Sequence, residues 1–258
     1  MDRLLLALLS SVLTVLVVDA GLRLRDGVAE TPAVLSHPTH PELPACAPAI
    51  LLLCDSFAWG CGIGDHRETL SGRLHALTGV PVANHGISGS QTGAWVERAR
   101  QVSHERSWAA VVVSWSPRDG VAWRDRQRFD AGLLDRYRKL VVSRRYEAWL
   151  NEGYRPGVPE WEAAQVNLRC IRDAFDAPVL LAVWPVMVGL RGRYPVPEVH
   201  EAMGAWAERE GWPCVDMLPA FRGRRDASLW VSATDDHPNA EATAIAARAI
   251  MPTLMEVM

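Results

Sequence analysis

Ser56 lies at the end of an apolar run, in "ILLLCDSFAWGCGIGD" (residues 50–65). Such a run has the character of a buried parallel strand, and ligands in open α/β sheets gather beyond the carboxyl ends of such strands. Three glycines follow, Gly60, Gly62 and Gly64, as they would in a phosphate-cradling loop. The spacing excludes one: a dinucleotide fingerprint requires glycine where Asp65 stands, and the Gly-Lys-Ser/Thr step of a P-loop is absent. The serine suits nucleophilic chemistry instead, which needs a base to take its proton and donors for the charge that develops on an attacked carbonyl. Of the eight histidines, His237 is best placed, in "SATDDHPNAEATAIAARAI" (residues 232–250). Asp235 and Asp236 precede it, and Pro238, a good first residue for a helix, follows. A carboxylate beside an imidazole fixes its tautomer and stabilises the imidazolium. The same two acids could instead serve only to favour a helix N-terminus.

Secondary candidates surround this pair. Asp55, Trp59, His85 and Trp115 fall near the expected crevice and are candidate substrate contacts. Trp59, Trp115 and Trp123 could stack on a sugar or an acyl chain, or pack the core and the insertion. His85 could equally be a satisfied half-buried histidine, and Ser88, in "GISGS", lacks the closing glycine of a nucleophile elbow and reads as a turn residue. His37 and His40 form no complete metal set. The five cysteines are odd in number and include no Cys-x-x-Cys pair, so they signal neither zinc nor a disulfide framework and read as buried thiols.

Alternating strands and helices must position these groups. Strands are expected over residues 50–55, 80–84, 109–115, 178–184 and 214–217, and an amphipathic helix over residues 68–77, with Leu70, Leu74 and Leu77 on one face. A last helix should run from about Pro238. This alternation predicts an α/β fold, a parallel sheet of about five strands with helices on both faces. An Arg- and Trp-bearing insertion at about residues 118–160 follows the third strand, at the end of the sheet where insertions shape substrate sites.

With 258 residues, 49% of them apolar, residues 49–258 can form one domain around one core. The formal charge of -3 gives no basic footprint, which argues against nucleic acid as a partner. Leu4 to Val18 is uncharged and apolar after Arg3, so residues 1–26 read as a signal peptide or membrane anchor, with a buried N-terminal helix as the alternative. Residues 27–48, rich in Pro, His and Ala, read as a linker. An exported domain retained at the membrane is expected.

Four blocks, "CDSFAWGCGIGDHRETL", "NHGISGSQT", "WSPRD" and "DDHPN", in this order and on these strand ends, resemble those of the SGNH/GDSL hydrolase superfamily. The likeness covers residues 50–258 and is strongest to bacterial, often membrane-anchored members with a "GDSFTFGxGV" type of first block. It implies a three-layer α/β/α flavodoxin-like fold, ester chemistry through an acyl-enzyme, and no cofactor or metal. It further implies Ser56 as nucleophile, His237 as base, a nearby aspartate as orienter, and the backbone N–H groups of Ser56 and Gly89 as oxyanion donors. Cys54 stands where the family has glycine, and Arg118 where it has the asparagine donor of Gly-x-Asn-Asp. Arg118 would take over as donor, or turn away to pair with Asp119 or an insertion carboxylate, leaving two backbone donors and Asn84. The orienting acid usually stands three residues before the histidine. That position is Thr234, so Asp235 is expected to take the part. The implied activity is hydrolysis of small O-acyl esters, acetyl on carbohydrate among them. An O-acyltransferase, or a silent glycan-binding protein on the same fold, is the alternative.

Overall fold

The computed structural model describes Thr14, Val17, Leu43 and residues 47–119, 152–233 and 235–258. The expected anchor, nearly all of the linker, most of the insertion, Cys46 and Trp123 lie outside the described residues. The chain divides into two units, and the one formed by residues 36–122 and 150–258 carries every element below.

Strand β1 (Ala49–Cys54) is buried along its whole length because it is covered on both faces and flanked on both edges. Its parallel neighbours are β2 (Val82–Asn84) and β3 (Trp108–Trp115). Beyond β3 come β4 (Val179–Val183) and β5 (Cys214–Asp216), so the order is β2-β1-β3-β4-β5, all parallel. The direction of winding reverses beside β1, which opens a crevice between the carboxyl ends of β1 and β3.

The flanking helices are α1 (Ser56–Trp59), α2 (Leu70–Thr78), α3 (Thr92–Val102), α4 (Pro159–Arg172), α5 (Pro197–Arg209), α6 (Leu218–Phe221) and α7 (Ala240–Val257). Helix α2 packs on α7 and α3 on α4. Leu70 and Leu74 are fully buried in α2, whereas Leu77 is 45% exposed, so the apolar face of that helix is one turn shorter than its leucine spacing predicts. Among the described residues no helix is long and apolar enough to cross a membrane.

One element has no counterpart in the expected order. A short antiparallel hairpin, β6 (Trp230–Ser232) and β7 (Asp235–Pro238), precedes the last helix. Pro238 therefore ends a strand instead of opening α7. Asn239 caps that helix, its Oδ1 accepting from the N–H groups of Glu241 at 3.0 Å and Ala242 at 3.1 Å. Its Nδ2 donates to the carbonyls of Ser228 and Trp230, so one side chain fixes both the helix start and the hairpin.

Candidate active site

Asp55 makes the turn that presents the serine. Its carboxylate accepts the N–H of Phe57 at 2.8 Å, capping α1, and Ser56 becomes the first residue of that single turn. Gly60, in the left-handed region at φ 96°, ends the turn by donating its N–H to the Ser56 carbonyl. The chain then passes under the hairpin. A Cβ on Gly62 would lie 2.4 Å from Val231 Cγ1, and φ there is +81°, so only glycine lets β6 approach this closely. Gly62 thus serves the close approach of the hairpin to this loop.

His237 arrives on β7. Alternate residues of a strand share a face, so Asp235 and His237 point together and Asp236 points away. His237 Nε2 is 2.9 Å from Ser56 Oγ, and His237 Nδ1 is 2.5 Å from Asp235 Oδ1. The same carboxylate oxygen accepts the backbone N–H of His237 at 3.0 Å. With a proton on Nδ1 directed at Asp235, Nε2 presents its lone pair to the serine hydroxyl, the tautomer that a general base requires. The hydrogen bond from His237 holds the Asp235 carboxyl below its ordinary range, so the acid stays charged opposite the imidazole.

Asp236, on the other face, pairs with Arg118 through Nη2–Oδ2 and through Nη1–Oδ1 at 3.5 Å. Burial alone would raise the Asp236 carboxyl, but the Arg118 charge and hydrogen bond outweigh it and leave it lowered. The guanidinium carbon also lies 5.0 Å from the ring centroid of Phe57, the residue after Ser56. Asp119, the sequence-neighbour partner expected for Arg118, is instead buried and accepts the N–H of Ser116 at 2.7 Å. Asn84 is committed elsewhere, its Nδ2 donating to the Trp59 carbonyl and to Ser71 Oγ. Gly89 adopts φ 70° in the loop after β2. That loop is stitched to β1 by the N–H groups of His85 and Ile87, which donate to the Leu52 and Cys54 carbonyls at 2.9 Å each. Ser88 Oγ lies 3.9 Å from Cys61 Sγ, which brings the loop beside the nucleophile turn.

The expected substrate contacts separate. Trp115 is fully buried and stands edge-on to Tyr154 at 5.6 Å, so it packs the core and offers a ligand no surface. Asp55 is turned inward as a helix cap. The His85 ring stands edge-on to Trp108, and burial, with the Arg98 charge next, holds its imidazole pKa down. Trp59 is half-buried against Gly86.

Support for the hairpin comes from residues with no motif. Trp230 Nε1 donates to the Met187 carbonyl at 2.6 Å, and Asp226 accepts from the N–H groups of Gly189 and Leu190. The segment after β4 is held in turn by Tyr194, whose hydroxyl accepts from Val186 N–H and bonds His200 Nε2, while His200 Nδ1 bonds Asp216. Among the described residues no group of three His, Cys, Asp or Glu side chains could hold a metal ion.

Residues 53–245 match the GDSL-like Lipase/Acylhydrolase family. The chain belongs to this family. Solved structures share the fold of this GDSL-like chain. TesA aligns with a TM-score of 0.53 at 21% identity, covering 81% of this chain and 99% of its own. A lipolytic protein of the G-D-S-L family from Desulfitobacterium hafniense gives 0.52 at 14%, covering 80% and 98%. Est24, a carbohydrate acetylesterase from Sinorhizobium meliloti, gives 0.52 at 12%, covering 82% and 100%. A sequence search among curated proteins gives no match to this GDSL-like chain.

Proposed function

We propose that the protein is a serine esterase that removes small O-acyl groups, acetyl on carbohydrate among them, and acts from a membrane-attached position through residues 4–18. The observation that carries the chemistry is the unbroken line from Ser56 Oγ through His237 to Asp235, at 2.9 Å and 2.5 Å. Ser56 Oγ attacks the ester carbonyl as its proton passes to His237 Nε2, and Asp235 stabilises the imidazolium. The oxyanion is received by the N–H groups of Ser56 and Gly89, with Arg118 as the third donor in the place of the family's asparagine. His237 returns the proton to the leaving alcohol, and water then releases the acid by the same route. The acetyl preference draws support from the carbohydrate acetylesterase that shares the fold.

Incubation with p-nitrophenyl acetate and with a serine-directed fluorophosphonate tests the proposal. A burst of nitrophenol and covalent labelling support it; absence of both counts against it. Release of acetate from an O-acetylated oligosaccharide tests the substrate class separately.

A further inference from the structure

Two buried acids stand under the nucleophile turn, and the proposed reaction uses neither directly. Asp55, 7% exposed, follows β1; Asp119, 2% exposed, follows the neighbouring strand β3. The two strands are paired neighbours up to Cys54 and Ser114, which brings the two carboxyl groups within hydrogen-bonding reach of each other just beyond the strand ends. Two carboxylates have only acceptors, so a direct bond between them requires a proton. Each acid also closes its own turn. Asp55 accepts from Phe57 N–H and so sets the backbone of Ser56. Asp119 accepts from Ser116 N–H at 2.7 Å and closes the turn that carries Arg118, whose backbone N–H reaches Ser116 Oγ at 3.3 Å.

We propose that Asp55 and Asp119 share one proton, carried by Asp119 and donated to the Asp55 carboxylate, and that this bond fastens the Ser56 turn to the Arg118 turn across the crevice. They are positioning residues, and their role in turnover rests on the esterase chemistry above. The proton belongs on Asp119 because the Arg118 charge favours the Asp55 carboxylate, beside the Phe57 N–H, whereas Asp119 has the neutral N–H and hydroxyl of Ser116. Burial, with the Asp55 charge next, pushes the Asp119 acid well above the ordinary range. Burial raises Asp55 as well, against the opposing pull of those groups.

Among the described residues, other titratable and charged groups face the pair from every side. Cys54, at the end of β1, is itself pushed well up by burial and by both acids, and Cys61, beyond α1, is raised by burial. From β7 come His237, Asp235 and Asp236, the last two already engaged by His237 and Arg118. Tyr154 donates its hydroxyl to the Pro117 carbonyl, and at the N-terminus of α3 the Thr92 N–H donates to the Asp119 carbonyl.

The sign of the pH effect follows. Above the ordinary carboxylate pKa of about 3.9 the unfolded chain has lost this proton while the native state keeps it, so stability falls as pH rises. An amide in place of the acid donates the same bond and cannot ionise.

The test uses the full-length chain with carboxyl-13C aspartate, as wild type, Asp119→Asn and Asp119→Ala. One aspartyl carboxyl carbon should keep its protonated shift at pH 8 and vanish in Asp119→Asn. The melting temperature of Asp119→Asn minus that of wild type should grow between pH 4 and pH 8. In ester hydrolysis, Asp119→Ala should lower kcat by about a hundredfold with KM little changed, as a misplaced nucleophile would, and Asp119→Asn should recover most of it. Aspartates all ionised at pH 8, or a melting difference flat with pH, overturn the shared proton. Equal kcat for the alanine and asparagine variants overturns its positioning role. An inert chain whose carboxyl signal persists refutes the proposed hydrolysis alone.

Discussion

Ser56→Ala removes a hydroxyl from the crevice edge, and no core contact depends on it. Fluorophosphonate labelling should disappear while the melting temperature holds, and persistent labelling would assign the nucleophile elsewhere. The two adjacent acids of β7 make a sharper pair, because the strand sends them to opposite faces. Asp235→Asn leaves an amide against His237 Nδ1 and frustrates the tautomer, so kcat should fall on the order of a thousandfold or more. Asp236→Asn should cost about tenfold or less, through a loosened Arg118. Reversed ranking would exchange the two assignments. Because the Asp235 pKa is lowered in the native state, its contribution to stability is present above the ordinary carboxylate pKa and is lost as pH falls through the native value. Acid should therefore destabilise wild type more than Asp235→Asn, as melting curves between pH 3 and pH 6 would record. At Arg118 the decisive comparison is hydrolysis by Arg118→Ala and Arg118→Asn. If the guanidinium serves the oxyanion, alanine loses activity and asparagine, with a shorter reach, restores little; asparagine exceeding wild type would mark arginine as an obstacle.

The hairpin is the element on which the site depends, and Asn239 holds it. Asn239→Ala removes the α7 cap and both bonds to the hairpin side, so stability should fall by about 1–2 kcal/mol. Turnover should fall further than a cap alone would explain, because His237 rides on the strand so released; unchanged kcat with a lowered melting temperature would separate the two. Sequence made the frame legible: β1, β3 and β4 are continuous apolar runs whose burial leaves no other reading, and observed boundaries lie within one or two residues of those expected. It also singled out Ser56 and His237, which the structure brings to 2.9 Å, because strand end and flanking acids are local signals. It could not show the hairpin, since "WVS" and "DDHP" are too short and too polar to carry a period. Nor could it find the partner of Arg118, which lies 118 residues away in sequence. Trp115 was ambiguous for a related reason: an aromatic residue at a strand end suits core and ligand alike, and only the position of Tyr154 decides.

At the scale of the molecule, the proposed attachment through residues 4–18 predicts that the full-length chain stays with carbonate-washed membranes. Uncleaved protein recovered wholly in the soluble fraction would dismiss it. Within the domain, the parallel order β2-β1-β3-β4-β5 places Ser56 just beyond the end of its first strand and leaves His237 to the final hairpin. Ser56 and His237 touch across 181 residues of chain. Synthesis runs from the amino end, so a ribosome completes all five strands of the sheet well before it reaches Asp235. A chain halted anywhere short of that residue holds a serine with no one to take its proton. If hydrolysis proceeds as proposed, it is a certificate of completion: the nascent protein is harmless to esters while it is being made, and the catalyst comes into being only with its last two dozen residues.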